Sequence, residues 1–212
     1  YQLFHDLPGI QPGGIHLYDG QNHQTNLEER RLAVMACWEL ASGFRDQLES
    51  QGLSVPRIVA GGTGSFPVYA SISDRALELS PGTNTFFDNN YGKMFPDLRY
   101  TPAARILTRV ISRPTEDTIT VDLGYKACAS DPSVKKRVIF PDLPHAEPIL
   151  QNEEHLVLRL DNADDFAPGD ELLAVPGHIC PTSALHRSAY VIENEQVTES
   201  WEVSGRDRWL TI

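Results

Sequence analysis

The feature that most restricts this fold is a short apolar run, Arg57-Ile58-Val59-Ala60, that passes directly into Gly61-Gly62-Thr63-Gly64-Ser65. Strand-forming residues followed at once by clustered glycines read as a strand ending in a tight turn, with a short helix expected from Phe66. Upstream, residues 13–19 read as another strand, with Ile15 and Leu17 facing one way and His16 and Tyr18 the other. A helix at 27–50 separates the two. Asn26 caps it and Glu29 stands three residues on, as in a capping box. Leu27, Val34, Trp38, Ala41 and Leu48 recur at helical spacing, and Gly52 stops it. Residues 84–88 are expected as a third strand. Alternating strands and helices build a parallel α/β sheet or barrel, and three strands are too few to close a barrel.

The pattern changes near Thr101. Residues 105–111 and 118–123 alternate apolar and polar side chains, and strand-like runs follow at 155–160, 171–175 and 189–192. The last pairs naturally with residues 197–203 across the turn 193–196. This half reads as an antiparallel β-domain, giving a division into residues 1–98 and 99–212. Eighteen Lys and Arg against twenty-nine Asp and Glu leave a charge of −11, which argues against a general binder of nucleic acid or anionic membrane. No apolar run approaches the roughly 18 residues of a membrane helix. Three widely spaced cysteines, Cys37, Cys128 and Cys180, suit a reducing, cytoplasmic setting better than a disulfide framework. The chain begins at Tyr1 without an initiator Met, and is expected to lack its natural start.

Two segments stand out chemically. The glycine turn offers backbone N–H groups to a phosphate, with the Thr63 and Ser65 hydroxyls as further donors. It is neither a nucleotide P-loop nor a dinucleotide fingerprint, because no Gly-Lys-Ser/Thr follows and the third glycine is out of place. The alternative is a turn with no ligand. The second segment is Pro176-Gly177-His178-Ile179-Cys180-Pro181-Thr182. If the strand before it continues, His178 and Cys180 share a face and form half of a soft-metal site, zinc being favoured by the N/S pair. The alternative is ordinary packing. Tyr18 ends the first strand with Asp19 and His23 nearby, a ligand or a rim residue. Asp122 and Lys126 read as a surface ion pair.

Taken in order, these segments resemble a known family. They are Tyr-Asp-Gly (18–20), Gly-Gly-Thr-Gly (61–64), Leu-Ser-Pro-Gly-Thr (79–83), Val-Ile-Ser-Arg (110–113), Asp-x-Gly-x-Lys-Ala (122–127) and Gly-His-x-Cys-Pro-Thr-x-x-Leu-His (177–186). The chain resembles the D-threonine aldolase and D-serine dehydratase family, fold-type III pyridoxal-phosphate enzymes. The resemblance implies the C-terminal part of a pyridoxal-phosphate-binding (β/α)8 barrel followed by an antiparallel β-domain.

It implies that Tyr18 lies beside cofactor and substrate as a cofactor-binding and catalytic residue. It implies that Gly61, Gly62, Thr63 and Gly64 receive the cofactor phosphate, and that His178 and Cys180 hold a catalytic divalent metal, zinc or manganese. Thr25 stands where some dehydratases of the family carry a second tyrosine. The family's cofactor-bearing lysine lies near the start of its barrel, and none of Lys93, Lys126, Lys135 or Lys136 matches that position. The implied activity is a lyase acting on small D-3-hydroxy amino acids, most like D-threonine aldolase, in a homodimer. His-x-Cys rather than His-x-Asp leans toward a zinc-using D-serine dehydratase. An amino-acid racemase and a non-catalytic phosphate-ligand module are the remaining alternatives.

Overall fold

The computed structural model describes residues 1–207 and 209, and it divides into two compact units. One comprises Tyr1–Thr85 and Tyr91–Tyr100; the other comprises Phe86–Asn90 and the chain from Thr101 onward. In the first unit the elements are α1 (Gln2–Asp6), β1 (Ile15–Leu17), α2 (Leu27–Ser50), β2 (Ile58–Ala60), α3 (Phe66–Tyr69) and β3 (Leu77–Leu79). The strands form a parallel sheet in that order, with Ile15 opposite Ile58 and Ile58 opposite Leu77. Parallel neighbours need a crossover, and a helix lies in each one.

Local sequence explains α2 well. The Asn26 side chain accepts the N–H groups of Glu28 and Glu29 at 2.9 and 3.1 Å, and both glutamates sit where the helix end is positive. The helix ends before Gly52, whose φ of +80° suits glycine. Its buried stripe of Val34, Trp38 and Ala41 packs with Ile58, Ala60, Val68 and Tyr69. Trp38 meets Tyr69 edge-on, with centroids 6.4 Å apart.

The third strand differs from expectation. It is Leu77–Leu79, at the edge of the three-stranded sheet, and residues Thr83–Thr85 form a 3₁₀ turn. The apolar pair Phe86-Phe87 imitates a strand, but Phe87 is buried with a φ of +54°, a conformation no strand uses. The true strand is masked by its shortness and by Glu78 at its centre.

Helix α4 (Asn89–Met94) spans the division between the units. Beyond it come β4 (Ile106–Thr115), β5 (Thr118–Val121), β6 (Val138–Ile139), β7 (Glu147–Gln151), β8 (Leu156–Arg159), β9 (Glu171–Pro176), α5 (Ile179–Leu185), β10 (Ser188–Glu193) and β11 (Gln196–Glu202). Six strands form an antiparallel sheet in the order β6-β9-β4-β5-β8-β7. Its two edges are drawn together. Arg137, just before β6, donates from Nη1 to Gln151 Oε1 on β7 at 3.1 Å, and Gln151 Nε2 donates to the Leu123 carbonyl at 3.0 Å. The result is a nearly closed barrel filled by Val110, Ile119, Val121, Leu156, Leu158 and Ala174.

Strands β10 and β11 form a separate hairpin whose turn residues, Asn194 and Glu195, both have positive φ, as two-residue hairpin turns demand. Strands β6 and β7 were not expected: one has two residues and the other contains Pro148. Among the described residues no helix is long and apolar enough to cross a membrane.

Arg45 on α2 donates to Asp74 at 2.7 Å, tying the helix to the segment before β3. That hydrogen bond, helped by the Ala76 N–H, holds the Asp74 carboxyl below its ordinary range. A folded pKa below the unfolded one gives stability that is present above about pH 4 and lost as pH falls through the folded value. Asp74→Asn is expected to lower stability at pH 7 by about 1 kcal/mol. Thermal melts between pH 7 and 3 should show this difference shrinking toward acid.

Candidate active site

The first group of candidate residues gathers at the ends of β1 and β2. Tyr18 follows β1 with its side chain largely exposed, and its ring lies against two glycines. A Cβ on Gly20 would stand 2.6 Å from the ring, and one on Gly62 would stand 3.4 Å from it. Gly61, with φ +85°, turns the chain out of β2, and a Cβ there would meet the Tyr69 ring at 2.9 Å. Gly64 sits under Phe95, whose ring would be 2.5 Å from an added Cβ. At Gly61 and Gly64 the close approach of buried rings favours glycine, whereas at Gly20 and Gly62 the exposed Tyr18 ring could give way.

Asp19 holds the turn. It is buried and accepts hydrogen bonds from Ser65 Oγ at 2.7 Å, Asn22 Nδ2 at 3.0 Å and Tyr69 Oη at 3.2 Å. Ser65 Oγ in turn accepts the Gly62 N–H at 3.1 Å. The Ser65 proton is therefore directed to Asp19, which corrects the expectation that it would donate to a phosphate. Burial, with the Asp19 charge beside it, raises the Tyr69 phenol well above its ordinary pKa and keeps it neutral.

Thr63 Oγ1 accepts the Asn84 N–H at 3.1 Å, so its own proton is available. The N–H groups of Thr63 and Gly64 have no partner among the described residues, while those of Gly61, Gly62 and Ser65 do. The turn therefore keeps two adjacent backbone donors and one hydroxyl, which fits a phosphate ester. Helix α3 has only four residues, so the donors rather than a helix dipole carry this fit.

The second group lies in the other unit. Strand β9 ends at Pro176, and α5 begins at Ile179, with His178 as its extended N-cap and Cys180 in its first turn. The expected alternation through residue 180 does not occur, because helix begins there. Gly177 passes so close to Lys136 that a Cβ would fall 1.8 Å from its carbonyl oxygen, and the Gly177 N–H donates to the Arg137 carbonyl at 2.6 Å.

His178 Nδ1 lies 2.6 Å from Asp131 Oδ2. A carboxylate only accepts, so Nδ1 donates in this pair, and in the neutral imidazole the lone pair then lies on Nε2. Thr182 Oγ1 donates to the His178 carbonyl at 2.7 Å and accepts the Ala129 N–H at 3.1 Å, and buried Asp88 accepts the Ile179 N–H at 3.0 Å. Side chains from two other segments, Asp131 and Asp88, and Thr182 of α5 itself thus fix the start of the helix.

An acidic partner on one imidazole nitrogen is how metal-ligating histidines are usually oriented. Cys180 is exposed. Among the described residues no cluster of three or more His, Cys, Asp or Glu side chains is placed to hold a metal. His178 and Cys180 stand two residues apart across the start of α5, one as its extended N-cap and the other within its first turn.

Asp122 and Lys126 do not pair with each other. Asp122 accepts the Thr108 hydroxyl and the Arg109 N–H at 2.6 and 2.7 Å, and Lys126 binds Glu153 and Glu154. Sequence reasoning missed Asp131 and Asp88. Neither lies in a motif, and 47 and 91 residues separate them from His178 and Ile179. Asp19→Asn puts an amide before three donors and is expected to cost about 1–3 kcal/mol, read as a lower urea midpoint at unchanged slope.

Comparison with known proteins gives a consistent result. A family profile described as "Putative serine dehydratase domain" matches residues 103–192. The chain is 31% identical to D-threonine aldolase from Arthrobacter sp, over 97% of this chain and 54% of that protein. It is 30% identical to 3-hydroxy-D-aspartate aldolase from Paracoccus denitrificans (strain Pd 1222), over 95% of this chain and 53% of that protein. The crystal structure of D-threonine aldolase from Filomicrobium marinum shares the fold, with a TM-score of 0.87 at 23% identity over 97% of this chain and 56% of that one. The chain spans about half the length of the curated relatives it matches.

Proposed function

Because the chain belongs to the D-threonine aldolase and D-serine dehydratase-like family, we propose that it serves a pyridoxal-phosphate- and divalent-metal-dependent lyase that cleaves D-3-hydroxy amino acids to glycine and an aldehyde. The observation that carries this reading is the Asp131–His178 hydrogen bond, which in the neutral imidazole would turn Nε2 toward a ligand two residues from Cys180. The proposal includes a homodimer and a cytoplasmic setting, taken from the family and from cysteine usage. It places the cofactor-bearing lysine outside these 212 residues. Lys126 and Lys135 are engaged by Glu153, Glu154 and Glu147 at the surface, and Lys93 and Lys136 are exposed.

In this reading the Thr63 and Gly64 N–H groups and the Thr63 hydroxyl bind the cofactor phosphate. The Asp19–Ser65 pair keeps the turn open to it. Tyr18 lays its ring beside the bound molecule and limits how it can tilt. His178 Nε2 and the Cys180 thiolate would hold the metal, and Asp131 keeps the His178 ring in one tautomer and one orientation. When bound, the cofactor supplies an electron sink and the metal supplies a Lewis acid for the substrate hydroxyl.

A dehydratase yielding a 2-oxo acid and ammonia is the second reading, favoured by the description of the family profile that matches residues 103–192. The two differ in products. With D-threonine, the full-length enzyme is expected to release glycine and acetaldehyde. Accumulation of 2-oxobutanoate with ammonia would overturn the aldolase reading in favour of the dehydratase. Borohydride reduction followed by peptide mapping should locate a pyridoxyl group on a lysine outside this chain.

His178→Ala and Cys180→Ala are expected to lower turnover on the order of a thousandfold. Unchanged turnover in both would remove the metal role. Asp131→Asn should weaken metal affinity by about 10–100-fold, measured by cobalt titration of the Cys180 thiolate absorption.

A further inference from the structure

The most deeply buried charge in the first unit has no part in the chemistry above. Arg30 is 0% exposed, yet it sits on α2, a helix whose buried stripe is otherwise apolar. A guanidinium is kept in such a place only when several partners compensate for its lost water. Arg30 Nη1 donates to the Gln24 carbonyl at 2.7 Å, and Nη2 donates to Asp97 at 2.5 Å. Its Cζ stands 4.7 Å from the centroid of the Phe95 ring. The three partners belong to two segments. Gln24 lies in the connection that leaves Tyr18, and Phe95 and Asp97 lie after α4.

Phe95 is the link to the cofactor turn. Its ring occupies the space beside Gly64 where a Cβ would stand, 2.5 Å from Cζ and 2.6 Å from Cε2. Phe95 is itself 2% exposed, so it cannot move aside without disturbing its neighbours. A chain of contacts therefore runs from the Arg30–Asp97 pair through Phe95 to Gly64, one of the two residues whose N–H lacks a partner. On the other side, the Gln24 contact steadies the loop that follows Tyr18.

From this arrangement we infer that Arg30 is a positioning residue for phosphate recognition. By clamping Asp97 and Phe95 it sets the place of the Gly64 N–H, and by holding Gln24 it sets the loop beside the Tyr18 ring. The inference rests on the reading of Gly61, Gly62, Thr63 and Gly64 as the cofactor-phosphate turn. Arg30 touches neither cofactor nor substrate in this role. Its loss should weaken the grip on the phosphate and leave contacts to the rest of the molecule unchanged.

The test compares two probes on the full-length apoenzyme: pyridoxal phosphate and pyridoxal, which lacks the phosphate. Affinity for each is read by titration of the cofactor absorbance. Arg30→Met is expected to lose roughly tenfold in affinity for pyridoxal phosphate, as when a charge-assisted hydrogen bond is lost, with no change for pyridoxal. Asp97→Asn leaves the arginine in place but weakens its pull. It should show the same selective loss in smaller degree, and it covers the case in which Arg30→Met does not fold. Arg30→Lys, which cannot reach Gln24 and Asp97 together in the guanidinium geometry, should rescue only in part. Equal losses for both probes, or no loss in a folded variant while the wild type prefers pyridoxal phosphate, would overturn the positioning role alone. A wild type with no preference between the probes would overturn the phosphate turn itself, and this inference with it.

Discussion

A buried carboxylate without a cationic partner must be surrounded by donors, and Asp19 meets that requirement with a hydroxyl, a phenol and an amide. The donors come from three places: the turn after β2, the end of α3, and the connection after β1. Satisfying one charge therefore binds two strand ends and a helix into one arrangement. Tyr18 is attached to it by the peptide bond, and Gly62 by way of Ser65. Were the carboxylate exposed, each of these bonds would compete with water and the turn would have several conformations of similar energy.

The second unit meets a related demand differently. Helix α5 has seven residues, too few to be stable alone, and its start is held by Asp88, Asp131 and Thr182. Asp131 comes from the connection between β5 and β6, Asp88 from the residue before α4, and Thr182 from α5 itself. Arg137 joins the two sheet edges through its side chain, while its carbonyl receives Gly177 N–H and Cys128 Sγ. Burial pushes the Cys128 thiol up to about 11, so it stays protonated and able to donate. The position of His178 in this way depends on distant segments as well as on its own short helix.

How much of this was legible in the sequence depended on the range of each signal. Helix α2 matched its expected bounds because cap, periodicity and stop all lie within one stretch. The α/β-then-antiparallel order followed from the same local patterns. The glycine turn was legible because an apolar run passes directly into clustered glycines, and buried rings beside Gly61 and Gly64 account for two of them. Strand β3, by contrast, is three residues long with a charge at its centre, and Phe86-Phe87 offered a stronger false signal. Helix α5 was hidden because Pro181 suggests a break, although proline is tolerated in a first helical turn. Ser65 was identified as polar and close to the turn, but its direction depends on Asp19, 46 residues away. Asp131 and Arg30 act through partners that only the fold brings near.

The distance along the chain between the anchors of α5 also bears on the order of assembly. Asp88 meets Ile179 across 91 residues, and Asp131 meets His178 across 47. Closing loops of that length carries an entropy cost that pairing of the intervening strands lowers, β6 to β9 for the Asp131 contact and β4 to β9 for the Asp88 contact. The contact that orients the His178 ring therefore forms late in folding. Any ligand that required that orientation would favour the completed barrel over every earlier species, acting as a lock on the finished fold instead of a template for it.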